Sequence, residues 1–315
     1  MALLDRFPSP SPRVLRALAI AAVAAQGGIA VTGSVVRVTG SGLGCPTWPQ
    51  CFPGSLVPVA HPETHALTQW IEFSNRLLTF VVVLVAGACL VAALAQRPRR
   101  PRLVRLALVQ PLGVVAQAVI GGLTVLLQLA WWSVAVHFAV SMVLVWLAVQ
   151  LAAAATEPDG ERRLTVPGAV RGLVATSTAV LAVLLVAGTF VTAAGPHAGD
   201  AATPRLDLPV PGLAQLHADL LFAYLGLLVA SGFTLRAVGA GALLRRWAVL
   251  VGLVLAQGAL GGIQYALGVP EALVSLHVLG AALVTVGAAA LWAGTSTRVA
   301  ADRAQGAAEA VPVRA

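Results

Sequence analysis

Apolar residues in this chain come in long unbroken runs, and polar residues collect between the runs rather than alternating within them. A helix needs about 20 mostly apolar residues to cross the hydrocarbon of a bilayer. Eight runs reach that length: residues 14 to 36, 71 to 95, 103 to 127, 131 to 154, 170 to 193, 213 to 236, 246 to 267 and 271 to 294. The pattern predicts an all-α polytopic membrane protein with eight transmembrane helices. The first run begins near Arg residues and contains Ala24-Ala25, as a signal peptide would. It is longer than a typical signal-peptide core and takes part in the repeat described next, so it reads as a span. Residues 297–315, Ala-rich and mixed in charge, read as a disordered tail.

The chain repeats itself. Gln117 to His137 reads QAVIGGLTVLLQLAWWSVAVH and Gln257 to His277 reads QGALGGIQYALGVPEALVSLH, with the Gln, the Gly-Gly pair and the final His in register without a gap. Gly33, Val36, Gly40 and Gly44 are spaced as are Gly188, Val191, Gly195 and Gly199. Runs one to four therefore correspond to runs five to eight. The expected organisation is two pseudosymmetric four-helix units in tandem, 1–156 and 166–296, joined by a linker at 157–165. A four-helix bundle of this kind can hold a cofactor in its interior. Inverted transporter repeats need an odd number of helices in each half, so the parallel four-helix repeat argues against a transporter.

Composition agrees with the membrane reading: 58% of the 315 residues are hydrophobic and 10% charged. The net charge of +8 at first suggests a nucleic-acid partner. Placement excludes it, because the basic residues, all Arg, lie in short clusters between alternate runs, with Arg37, Arg76 and Arg205 as the exceptions. Positive charge gathers on the cytoplasmic side of membrane proteins. Both termini are therefore expected in the cytoplasm of a cell carrying the protein in its plasma membrane, with the loops 37 to 70 and 194 to 212 outside.

Three of the six His residues, His137, His217 and His277, fall three to six residues inside runs four, six and eight, at one depth near the outer surface. The corresponding position in run two is Asn75. A single intramembrane His most often bonds a neighbouring helix. Here His217 and His277 sit on the two even helices of one unit, which is the geometry for axial ligation of a haem iron between facing helices. In the first unit His137 has Asn75 opposite, so a haem there is five-coordinate or takes a ligand from elsewhere, His65 being one candidate. His61 and His65 otherwise read as solvated loop residues, and His197 as part of a turn or lid over the second unit.

Glu72 lies at the outer end of run two, one turn before Asn75. The plain reading is an ion pair with Arg76 at i, i+4. The functional reading is a general base or a positioner of water beside a cofactor. Arg37 and Arg76 depart from the positive-inside pattern and suit an anionic partner such as haem propionates. Cys45 and Cys51, in the first external loop, are placed to form a structural disulfide or a redox-active pair. Cys89, alone in mid-helix, reads as packing.

Taken together, the loop from Gly40-Ser41-Gly42-Leu43-Gly44-Cys45 through Trp48-Pro49-Gln50-Cys51, the Glu72 to Arg76 segment, Gly195-Pro196-His197-Ala198-Gly199-Asp200, Gln215-Leu216-His217 and the Gly-Gly segments ending in His137 and His277 resemble the haem A synthases. The resemblance covers nearly all of residues 14 to 295. It implies a haem b cofactor held by His217 and His277 as axial iron ligands. It also implies a haem O substrate in the first unit near His137, Asn75, Arg76 and Arg37, and a requirement for Glu72. The implied reaction oxidises the C8 methyl of haem O to a formyl group by successive hydroxylations, giving haem A for terminal oxidases. Electrons leave to an unidentified acceptor, haem O synthase is a candidate partner, and a homo-oligomer is left open. Asn75 departs from the family pattern, in which a His is usual. A second expectation, from another class, is a di-haem b-type electron-transfer protein without chemistry of its own; it calls for four matched His ligands, and Asn75 fits it poorly.

Overall fold

The computed structural model describes residues 8–62 and 64–300. Arg6, Arg303, Arg314 and the tail from residue 301 lie outside the described residues. Eight helices carry the chain: α1 (Pro12–Val38), α2 (Ala66–Leu94), α3 (Pro101–Leu126), α4 (Trp131–Thr156), α5 (Gly168–Ala194), α6 (Val210–Ala237), α7 (Gly241–Ala266) and α8 (Glu271–Gly294). All eight are long and apolar enough to cross a membrane. Several begin outside the apolar run that announces them. Ser11 caps α1 by accepting the Val14 N–H, with Pro12 in the first turn, where a missing N–H costs nothing. α2 starts at Ala66, so its first turns carry Thr68, Gln69 and Glu72 beyond the apolar stretch.

Within residues 8–156 the helices pack as a ring, α1 on α2, α2 on α3, α3 on α4 and α4 on α1. α5 to α8 repeat the ring in the same order. The two rings meet through α1 and α4 against α8, and α4 against α5. Small and flexible side chains fill that seam: Gly27 faces Ala282, Thr285 reaches Met142 Sδ at 3.7 Å, and Gln150 Nε2 donates to the Ala289 carbonyl at 3.2 Å.

The repeat extends to backbone detail. The turn between α3 and α4 has left-handed residues at Gln128 (φ 53) and Leu129 (φ 58), and the turn between α7 and α8 has them at Gly268 (φ 75) and Val269 (φ 62), 140 positions later in each case. Leu129 N–H donates to the Thr124 carbonyl and Val269 N–H to the Gln264 carbonyl, closing the same turn twice. A left-handed non-glycine residue costs about 1–2 kcal/mol, and each turn is held from outside by a loop described below.

The first residues of the segment read as a tail are ordered. Residues Ser296–Val299 form strand β2, antiparallel to β1 (Glu161–Leu164) in the linker, with Glu161 opposite Val299 and Leu164 opposite Ser296. The pairing corrects the expectation of a disordered segment from residue 297. Its physical basis is close backbone approach: a Cβ on Gly160 would stand 1.8 Å from the Val299 carbonyl oxygen, and Arg298 donates to the Gly160 carbonyl at 2.8 Å. The ribbon joins the chain entering the second ring to the chain leaving it.

Candidate functional site

Each odd helix presents a glycine to the side chain singled out on the even helix that follows. A Cβ built on Gly121 of α3 would lie 3.2 Å from His137 Cε1. The same construction places Gly188 of α5 3.0 Å from His217 Cε1 and Gly261 of α7 3.0 Å from His277 Cε1. Gly33 of α1 stands 4.0 Å from Asn75 Nδ2. The glycines let the Cε1 edge of each imidazole come close to a neighbouring helix backbone, where a side chain would stand in its way. Gln117 Nε2 donates to the His137 carbonyl at 3.0 Å and Gln257 Nε2 to the His277 carbonyl at 2.8 Å, bracing the two helix pairs alike.

The rings of His217 and His277 face each other across the second unit, with centroids 6.4 Å apart and planes tilted by 57°. Bonds of about 2 Å from a metal to each imidazole nitrogen place two rings on opposite sides of one iron with centroids about 6 Å apart. The spacing therefore fits one metal between them. Nδ1 of His137 and of His277 is buried without a hydrogen-bond partner among the described residues. No group of three or more His, Cys, Asp or Glu side chains among the described residues is placed to hold a metal ion. Two imidazoles alone make a poor site for a bare ion and a good one for a haem, whose macrocycle supplies the remaining nitrogens.

The first unit differs at its outer end, where the loop before α2 folds over it. Cys45 and Cys51 form a disulfide, and both are fully buried. Glu72, 6% exposed, accepts the Cys45 N–H at Oε2 (2.7 Å) and Arg76 Nη2 at Oε1 (2.6 Å). Arg76 donates as well to the carbonyls of Cys45 (2.8 Å), Thr47 (3.0 Å) and Gln50 (3.3 Å), which engages its whole guanidinium. The i, i+4 ion pair is thus formed and extended into a clamp on the disulfide loop. A Cβ on Gly44 would collide with the Thr68 carbonyl at 2.5 Å, so this glycine lets the loop lie directly on α2.

The clamp seats Trp48 on α3. A Cβ on Gly122, the second glycine of the Gly-Gly pair, would meet the Trp48 ring at 2.3 Å, whereas its repeat partner Gly262 has nothing within 4 Å. Sequence reasoning did not single out Trp48; the signal available for it was a second invariant glycine in the internal repeat without an obvious partner. Thr32 was missed too. It donates to Asn75 Oδ1 at 2.7 Å, which ties α2 to α1 beside Gly33.

Arg37 does not join Arg76. Its Nη2 donates to the Thr192 carbonyl at the end of α5, 2.8 Å away, and its other N–H groups make no hydrogen bond among the described residues. Arg205 donates to the Pro196 carbonyl, and partial desolvation lowers its guanidinium from the usual range. His197 Nε2 donates to the Val269 carbonyl at 2.8 Å, latching the loop after α5 onto the strained α7–α8 turn. His65 sits exposed at the start of α2, and His61 stacks on Phe52 with centroids 5.0 Å apart, so neither lies beside Asn75. Cys89 is buried in the first unit and its thiol donates to the Leu18 carbonyl at 3.3 Å.

Comparison with known proteins places this arrangement. Residues 16–205 match the family model described as Cytochrome oxidase assembly protein. The chain is similar to the Heme A synthase of Geobacillus kaustophilus (strain HTA426), 31% identical over 109 residues that span 35% of this chain and 32% of that protein. It is similar as well to the Heme A synthase of Geobacillus thermodenitrificans, 31% identical over 101 residues, 32% of this chain and 30% of that one. The matches thus span about a third of the length of these curated relatives. With more than half of the chain matched by the family model and both relatives carrying one name, the chain belongs to the heme A synthase family of cytochrome oxidase assembly proteins.

Proposed function

We propose that this protein is a haem A synthase, oxidising the C8 methyl of haem O to a formyl group in its first four-helix unit. The observation that carries the reading is the mismatch between its two repeats. One presents two facing imidazoles, His217 and His277, and the other presents His137 with an amide, Asn75, at the matching position. A site with both axial positions filled suits a resident haem b that passes electrons, and a site with one filled suits the haem that is changed.

In this reading His217 and His277 hold the haem b, which supplies one-electron redox chemistry. His137 holds the substrate from one side. Arg37, with N–H groups to spare, pairs with a propionate, while Arg76 is spent on the loop. Glu72 acts through the loop: with Arg76 it seats the disulfide segment and Trp48 over the outer end of α3, closing the site against water. It is therefore a positioning residue, and its loss opens the cover. The electrons are taken by an acceptor that the chain does not supply. The Arg clusters support an orientation with the histidine end outside and both termini in the cytoplasm of a plasma-membrane protein.

The test is extraction of haems from membranes that make haem O, with and without this protein, followed by chromatography and mass spectrometry. Haem A or its hydroxylated precursor is expected only with the protein, and is lost in Glu72→Ala. Co-purification of haem b with haem O left unchanged overturns the reading in favour of a b-type electron carrier.

A further inference from the structure

Four positions are related by the repeat and each faces a glycine, and the structure shows what sets the fourth apart. At Gly121, Gly188 and Gly261 the imidazole comes within 3.2 Å of the Cβ position, but at Gly33 the nearest atom, Asn75 Nδ2, stays 4.0 Å away. The shorter side chain leaves room there. Thr32 Oγ1 on α1 lies 2.7 Å from the Asn75 Oδ1 and 3.1 Å from the Ile29 carbonyl, the shorter contact being to the amide, whose Nδ2 has no partner among the described residues. An amide nitrogen has no free lone pair, so it donates hydrogen bonds and does not bind iron. No imidazole is in position to replace it. His65 is ten residues earlier on α2, about 15 Å along the axis, His61 is stacked on Phe52, and His197 is bonded to Val269.

Resting on the reading above, in which His137 holds a haem from one side, we propose that the opposite axial position in the first unit is a binding site for a small exogenous ligand, water or a diatomic of similar size. The Nδ2 group of Asn75 donates a hydrogen bond to that ligand. Thr32 sets the donor's direction, and Gly33 provides the space. The second unit has no such site, because His217 and His277 fill both positions.

The experiment uses the full-length protein purified from membranes that make haem O, probed with carbon monoxide in the reduced state and cyanide in the oxidised state. The expected result is that part of the bound haem takes up each probe and that His137→Ala removes this fraction. Asn75→His blocks both probes and adds a second bis-imidazole low-spin signal. Asn75→Leu still binds, but with cyanide affinity about ten- to a hundredfold weaker, as loss of one hydrogen bond to a charged ligand gives, and with a raised C–O stretching frequency. If Asn75→His does not retain haem, Asn75→Leu carries the test alone. Absence of a probe-binding fraction in the haem-loaded protein overturns the proposal, and so does an unchanged cyanide affinity in Asn75→Leu. Haem A formation without probe binding sinks this inference and spares the enzymatic reading; probe binding with haem O unconverted does the reverse.

Discussion

The two four-helix units share a backbone plan and differ in what fills it. In the first, Gln26 of α1 donates across the ring to Gln110 of α3 at 3.2 Å, both nearly inaccessible, and the Nε2 atom of Gln110 is left without a partner. The positions related by the repeat in the second unit are Leu181 and Leu250, both in its apolar core. Ser141, bonded to Gln117 at 2.5 Å, corresponds to Ala281, and Thr32 to Ala187. The second unit is therefore the apolar version of the first, with an extra imidazole and without a cover at Gly262. A duplicated scaffold has kept the glycines and glutamines that orient helices and has varied the residues that decide polarity and coordination. The Nε2 atom of Gln110, without a bond among the described residues, is a buried polar group of the kind that costs about 1–3 kcal/mol, and its repeat counterpart Leu250 carries no such atom.

That comparison can be broken in several ways. The largest effect is expected from His277→Ala, which leaves the second unit a single ligand: its bis-imidazole electron paramagnetic resonance signal should vanish, while haem bound beside His137 persists. Loss of both signals together would mean that the units do not bind independently. Next comes the paired substitution of the second glycines. Gly122→Ala forces a methyl into the Trp48 ring and should cost about 1–3 kcal/mol in thermal unfolding, as overpacking does. Gly262→Ala, facing open space, should be neutral or gain up to about 1 kcal/mol from helix propensity. Equal effects would show that the loop does not cover α3 as described.

Converting the polar pair to its counterpart gives a smaller and more diagnostic change. Gln26→Leu alone strands the Gln110 amide and should lower stability by about 1–3 kcal/mol, whereas Gln26→Leu with Gln110→Leu should return close to the starting value, because removing both partners leaves no orphan. A double variant less stable than either single one would show that the pair is needed for more than mutual satisfaction. The smallest effect is expected from Ser141→Ala, which imports the second unit's residue and removes one bond from Gln117, at about 0.5–1.5 kcal/mol by thermal unfolding.

How much of this was legible depended on whether the signal was local. Apolar runs of bilayer length mark the spans because the hydrocarbon admits few charges, so all eight were readable. Their ends were less so: α2 begins at Ala66 rather than 71, since hydropathy marks where lipid begins and the helix continues past it through Thr68 and Gln69. The pairing of Gly121 with His137 and of Gly261 with His277 was readable because a gapless repeat carries both residues of each pair in register. The β1–β2 ribbon was not, because its two short strands show no alternation and find each other across more than a hundred residues. Trp48 on Gly122 and Thr32 on Asn75 were hidden for the same reason. The clamp by Arg76 was half visible, since i, i+4 spacing gives the ion pair but not the three carbonyls of a loop that precedes it.

The loop latched by His197 and the loop clamped by Arg76 are joined mechanically. Gly42 N–H donates to the Gly199 carbonyl at 2.8 Å, with Leu129 of the α3–α4 turn wedged against both glycines, and Arg37 ties the same region to α5. The cover of the first unit and the flap latched by His197 to the second are therefore stitched into a single plate. A displacement of either loop is therefore passed to the other, because a backbone hydrogen bond and one leucine side chain are shared between them.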